Sequence, residues 1–76
     1  MRETPSIKKA KEEALERSIT YPKVEWYIIY KSGKKPLIMS ETCYFHDTYI
    51  QSFFEDGYIT VCKFIGGEEI PAEKFI

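Results

Sequence analysis

The reactive residue types in this sequence come close to a metal-binding pattern. Cys43 and His46 have the C-x-x-H spacing of zinc ligands, and Cys62 offers a third ligand. A structural zinc site almost always has four ligands, and Asp47 is the nearest residue to complete the set. We therefore expect no metal ion. We interpret His46 as a surface or helix-start residue and both cysteines as small core side chains.

Catalytic groups are similarly sparse. His46 is the single histidine, and its neighbour Asp47 would project to a different side of a helix or strand. The acidic pairs at 55–56 and 68–69 flank glycine turns, where solvated charge is ordinary. No glycine-rich phosphate-binding motif occurs. We expect a non-enzymatic protein without catalytic residues, cofactor or small-molecule substrate; a small cryptic enzyme is the remaining alternative.

A lysine cluster lies where a predicted hairpin turns, and it suggests nucleic acid as a second alternative. Lys31, Lys34 and Lys35 lie close in sequence to Tyr27 and Tyr30. In single-strand binding, bases stack on aromatic rings while ammonium groups meet phosphates. A dedicated binder is usually a basic domain, whereas this chain has a formal net charge of −1.

The aromatic content favours protein recognition as the first hypothesis. Aromatic residues make up 16% of only 76 residues, and a chain this short has a thin core. Tyr27 and Ile29 fall on the face of a predicted strand that has no obvious cover. We expect a host protein or a second copy of the chain as the partner, bound through Tyr27, Ile29, Lys31, Lys34 and Lys35, with Glu68 and Glu69 as a charged rim.

Charge is unevenly distributed along the chain. Residues 1–35 carry nine basic and five acidic side chains, and residues 36–76 carry two basic and seven acidic ones. This asymmetry predicts either attraction between the two halves or separate basic and acidic surfaces. The charged N-terminal stretch lacks the apolar region of a signal peptide, and no uncharged stretch reaches the length of a membrane span. We expect a cytoplasmic protein with no membrane partner.

The predicted elements form a single α+β domain over residues 1–76, with an N-terminal helix in 1–20 and a sheet with a short helix in 21–76. Apolar spacing after Thr4 and Pro5 indicates the first helix, and Asp47 is the candidate N-cap of the second. The order α-ββ-α-ββ predicts an antiparallel sheet of three or four strands, with helix packed on one face. A small half-open β-barrel with helices is the alternative fold. Residues 40–46 are ambiguous between strand and loop.

The chain has no motif that identifies a family. Short aromatic-rich cytosolic chains without catalytic residues are common among phage and mobile-element accessory proteins, many of which inhibit a host protein. By this analogy, we expect a small inhibitor or regulator that covers a surface of its partner.

Overall fold

The computed structural model describes residues 4–76. It contains an open four-stranded antiparallel sheet with helices on both faces. The strand order is β2-β1-β3-β4. This confirms the predicted small α+β fold, and the sheet does not close into the alternative barrel. The elements in chain order are α1 (Pro5–Thr20), β1 (Trp26–Tyr30), β2 (Leu37–Ser40), α2 (Glu41–Tyr44), α3 (Asp47–Glu55), β3 (Ile59–Ile65), β4 (Glu68–Pro71) and a 3₁₀ turn (Ala72–Lys74).

Helix α1 covers the first face of the sheet. The Thr4 hydroxyl caps it by accepting a hydrogen bond from the Ile7 backbone N–H at 3.2 Å. Ala10 and Ala14 are buried with Ile28, and their small side chains let the helix approach the sheet closely. None of the described helices combines the length and the apolar composition that a membrane-spanning helix needs.

A buried serine joins α1 to the second hairpin. Ser18 is fully buried, and its Oγ donates to the Leu15 carbonyl at 2.8 Å and accepts from the Gly67 N–H at 3.0 Å. Gly66 and Gly67 both have positive φ, 55° and 86°, as a two-residue hairpin turn of the predicted type requires. The Ser18 hydroxyl therefore ties this turn to the helix through a contact between residues 49 apart in sequence.

The second face of the sheet is covered by α2, α3 and the segment after the 3₁₀ turn. Tyr27, Ile29, Met39 and Ile50 form its buried cluster, with Phe75 packed against it. The expectation that helix covers only one face is therefore wrong. The ambiguous stretch 40–46 includes the short helix α2, which is neither a strand nor a loop.

The N-cap of α3 differs by one residue from the prediction. His46, rather than Asp47, has the extended backbone of an N-cap, and its Nδ1 accepts a hydrogen bond from the Tyr49 N–H at 3.3 Å. Asp47 is the first helical residue, where its carboxylate suits the positive end of the helix dipole.

An irregularity in β3 determines which side chains reach each face. Ile28 pairs with Cys62 but Ile29 pairs with Thr60, so Val61 is an extra residue in the β1–β3 ladder. Val61 and Cys62 consequently both pack on the α1 side. Thr60 faces the other side, where its hydroxyl lies 2.7 Å from that of Tyr44.

Candidate functional site

Two of the residues predicted to contact a partner are buried in the monomer. Tyr27 is 2% exposed and Ile29 is 0% exposed. The Tyr27 ring stacks on Tyr44 with centroids 3.9 Å apart, and the rings of Phe45 and Phe75 meet it edge-on. The expectation that this face of β1 is uncovered is therefore wrong. Neither side chain is available to a partner while the domain is folded in this way.

A polar network surrounds the Tyr27 hydroxyl. Tyr27 Oη donates to Glu25 Oε1 at 2.9 Å, and Lys63 Nζ donates to the same oxygen at 3.0 Å. The Lys63 bond, followed by the Tyr27 bond, lowers the pKa of Glu25 below its ordinary value. Burial, followed by the bond to Glu25, raises the pKa of Tyr27 well above its ordinary value. The network thus holds a carboxylate, an ammonium and a neutral phenol, an arrangement that orients side chains at the start of β1.

The predicted basic cluster and acidic rim lie at opposite ends of the sheet. Lys34 and Lys35 are exposed in the loop after β1, whereas Lys31 pairs with Asp56 at 3.3 Å. In the strand register, the Tyr30 end of β1 lies beside the start of β3. Glu68 and Glu69, both exposed, pair with the end of β3 instead. The seven predicted contact residues therefore do not form one surface.

The separation also affects the nucleic-acid hypothesis. Single-strand recognition needs an exposed ring beside the cations. Tyr27 is buried and Lys31 is engaged with Asp56, which leaves the exposed lysines Lys34 and Lys35 beside the half-buried Tyr30. No observation in the structure favours this function.

The C-x-x-H residues do not converge on a metal site. His46 uses its Nδ1 to cap α3. Cys62 is buried beneath α1, whereas Cys43 lies exposed on α2, so its assignment to the core is wrong. Within residues 4–76, no group of three or more His, Cys, Asp or Glu side chains is arranged to hold a metal ion.

The structure presents instead an apolar groove between α3 and the start of β3. Phe54 is 40% exposed and Ile59 is 50% exposed, both high values for large apolar side chains. The groove has a volume of about 570 Å³ and a mostly apolar lining. We name it the α3–β3 groove; its lining residues are Tyr44, Phe54, Ile59, Thr60, Ala72, Glu73 and Ile76.

A second cavity adjoins the groove on the other face of the sheet edge. This α1-side cavity has a volume of about 320 Å³, and its lining residues are Ile7, Lys11, Thr60, Val61, Glu69, Pro71, Ala72 and Glu73. Thr60, Ala72 and Glu73 line both spaces. The two spaces therefore flank the same short stretch of β3.

That stretch of β3 has a free backbone edge. β4 pairs with residues 62–65 of β3, and Pro71 is its last paired residue. On the side away from β1, no strand of the described chain pairs with residues 59–61. Proline cannot donate the N–H that a further ladder bond requires. After Pro71 the chain forms the 3₁₀ turn, which contacts β3 without pairing with it, and Phe75 packs on the Tyr27 ring.

The surroundings of the groove are acidic. Residues 55–76 carry five carboxylates and two lysines. Of these lysines, Lys63 is directed to Glu25 within the polar network. Glu69 pairs with Lys11 at 2.9 Å, and Glu73 is exposed where the two cavities meet. Among the residues that line the groove, Glu73 carries the charged side chain, so the apolar surface has a carboxylate at one side.

A second exposed apolar surface lies where α1 joins β1. Ile19 is 63% exposed and Tyr21 is 57% exposed, beside a cavity of about 300 Å³ formed by residues 20–24. We name it the α1–β1 patch. Its cavity is smaller than the α3–β3 groove and is formed by one continuous loop, so the patch serves best as a matched control surface.

Phe54 and Ile59 were not among the predicted contact residues. Phe54 follows Ile50 and Phe53 at helical spacing, which suggested a core position, and Ile59 lies in a continuous β-rich run. One signal for them was present in the sequence: the β-rich run from 58 to 65 is much longer than the three residues 68–70 that separate the glycine turn from Pro71. A long strand beside a short one must leave part of its edge unpaired.

In comparisons with protein-family models, with curated proteins and with solved structures, nothing matches this chain.

Proposed function

We propose that this protein is a non-enzymatic binding domain that holds an apolar segment of a partner protein in the α3–β3 groove. Through this contact it covers part of the partner surface and acts as a small inhibitor or regulator, of the kind found among phage accessory proteins. Cys43 and Cys62 are not joined in a disulfide, which suits the reducing conditions of the cytoplasm, where we place the protein.

The observation that carries the proposal is the exposure of Phe54 and Ile59 around a concave apolar space. Apolar and aromatic side chains in such spaces are typical centres of protein interfaces. Full burial of a large apolar side chain contributes about 1.5–3 kcal/mol, so covering the exposed 40% of Phe54 and 50% of Ile59 contributes about 1 kcal/mol each. Micromolar affinity corresponds to roughly 8 kcal/mol, so the other residues that line the groove must contribute to the contact as well.

Tyr44 supports the groove from below. Its hydroxyl lies 2.7 Å from that of Thr60, and its ring stacks on the buried Tyr27. The Phe54 ring meets the Tyr44 ring edge-on at 6.1 Å. The base of the groove is thus connected to the core, so a partner would meet a largely preformed surface and lose little affinity to its reorganisation.

Selection of peptides from a random 12-residue display library on the immobilised protein tests the proposal. We expect the enriched peptides to bind the wild type and to lose at least tenfold in affinity for Phe54→Asp, because a carboxylate opposes apolar burial. Ile76→Asp is the second groove variant, and circular dichroism checks that each variant folds.

Ile19→Asp on the α1–β1 patch is the matched control, since Ile19 is also an exposed apolar residue. Its affinity for the enriched peptides should equal that of the wild type. Peptides that lose binding to Ile19→Asp but retain it for both groove variants would refute the proposal.

A further inference from the structure

The free edge of β3 points to the form and the charge of the segment that the groove accepts. We propose, on the basis of the function above, that the segment is an extended strand with alternating apolar and basic side chains. It adds to β3 beside residues 59–61.

The backbone geometry supplies the first step. Ile59 and Thr60 pair with Tyr30 and Ile29 of β1 on one side, while the other side carries no strand of the described chain. Backbone N–H and C=O groups require hydrogen-bond partners, and an unpaired edge is a template for another strand. An added strand would lie beside Ile59 and Thr60, next to Ala72 and Glu73 of the 3₁₀ turn, which follow Pro71 where the ladder ends.

The two cavities supply the second step. Successive side chains of a strand point to opposite faces of the sheet, so an added strand would direct alternate side chains to the two cavities. On the α3 side they would meet the apolar groove with Phe54 and Ile59. On the α1 side they would meet a more polar space with Lys11, Glu69 and Glu73.

The carboxylates supply the third step and give the sign of the charge. Lys11 already pairs with Glu69, so Glu73 supplies the main attraction for a cation. Glu73 is exposed and lines both cavities, within reach of a lysine or arginine on the added strand. A basic segment therefore matches this carboxylate, and an acidic segment is repelled by it.

Capped heptapeptides of alternating valine and lysine, or valine and glutamate, test this inference. We expect isothermal titration to give at least tenfold tighter binding for the lysine peptide. In NMR spectra of ¹⁵N-labelled protein, the lysine peptide should shift the amide signals of Thr60 and Val61. Glu73→Gln should weaken binding about two- to fivefold, as for an exposed ion pair, and reduce its salt dependence. Glu68→Gln, at the far end of β4, is the matched control and should leave the affinity unchanged.

Backbone methylation of the lysine peptide separates strand addition from simple groove binding. N-methyl groups on the amides of one peptide edge should abolish binding, whereas N-methyl groups on the opposite edge should preserve it. Equal affinity of the two methylated peptides would overturn the inference. The inference would also be overturned if the lysine peptide failed to bind while the binding of the display-selected peptides still depended on Phe54. Both of these results leave the proposed function standing, because that function is tested by the dependence of the selected peptides on the groove variants.

Discussion

The burial of Tyr27 leads to a prediction opposite to the one that its sequence position suggests. If Tyr27 were an exposed contact residue, its replacement by alanine would cause no loss of stability. In the structure, Tyr27 belongs to the buried cluster on the second face of the sheet. It is 2% exposed and packs against the rings of Tyr44, Phe45 and Phe75. We therefore expect Tyr27→Ala to destabilise the domain severely.

The magnitude follows from the lost ring. Truncation of a buried aromatic side chain to alanine lowers the free energy of unfolding by about 3–5 kcal/mol. A chain of 76 residues has a total free energy of unfolding of roughly 4–11 kcal/mol. With a urea m-value of about 1 kcal/mol/M for so small a protein, the unfolding midpoint should fall by about 3 M or more. The variant should be largely unfolded at 37 °C if the wild type lies near the lower end of this range.

Urea titration followed by fluorescence of the single tryptophan, Trp26, measures this change. Two controls accompany it. Tyr27→Phe keeps the ring and removes the bond to Glu25, so it should lower the free energy of unfolding by about 1 kcal/mol. Tyr49→Ala removes an exposed ring and should lower it by less than about 1 kcal/mol. A Tyr27→Ala midpoint within about 0.5 M of the wild type would show that the ring is not part of the core, and the β1 face would again be a candidate surface.

Three further predictions concern the polar contacts. Ser18→Ala removes the hydrogen-bond partner of the half-buried Gly67 N–H, so the free energy of unfolding should fall by about 0.5–1.5 kcal/mol in urea titration; an unchanged midpoint would contradict the contact. The lowered pKa of Glu25 contributes stability above the unfolded-state value of 4.5, and this stability is lost as pH falls through the folded-state value. Glu25→Gln should flatten this acid dependence in thermal melts, and an unaltered pH profile would contradict its assignment to Glu25. Because burial and the bond to Glu25 favour the neutral phenol of Tyr27 in the folded state, the stability of the domain should fall above pH 10, where the unfolded phenol ionises. Tyr27→Phe should reduce this loss of stability at alkaline pH, measured by the same melts.

The local elements of the fold could be predicted from the sequence because short-range chemistry determines them. The Thr4 cap, the apolar spacing of α1 and the Gly66-Gly67 turn depend on neighbours within a few residues. Alternation along β1 correctly placed Tyr27 and Ile29 on the same face of the strand. The antiparallel pairing followed from the two hairpins.

The cover of the second face could not be predicted in the same way. Alternation assigns Tyr27 to a face but does not tell what packs there. Its cover comes from Tyr44 in the stretch that was ambiguous and from Phe75 after a proline break. The partners Glu25 and Lys63 are 38 residues apart in sequence, so their bond depends on strand register rather than on a local motif.

The candidate site was missed for a related reason. Its exposed side chains, Phe54 and Ile59, have the same residue types and spacing as core residues. What distinguishes them is the early end of β4 at Pro71, which leaves residues 59–61 without a neighbouring strand. The unequal strand lengths were visible in the sequence, but the cavities on either side of the edge arise only when α1, α3 and the 3₁₀ turn are in place.

An amide chemical-shift map of the wild-type protein tests the proposed binding surface most directly. The ¹⁵N-labelled protein would be titrated with the peptide that is most enriched in the display selection. We predict that the largest shifts lie at Phe54, Ile59 and Thr60. Shifts confined to the loop with Lys34 and Lys35, or to residues 19–24, would contradict the assignment of the α3–β3 groove as the binding surface.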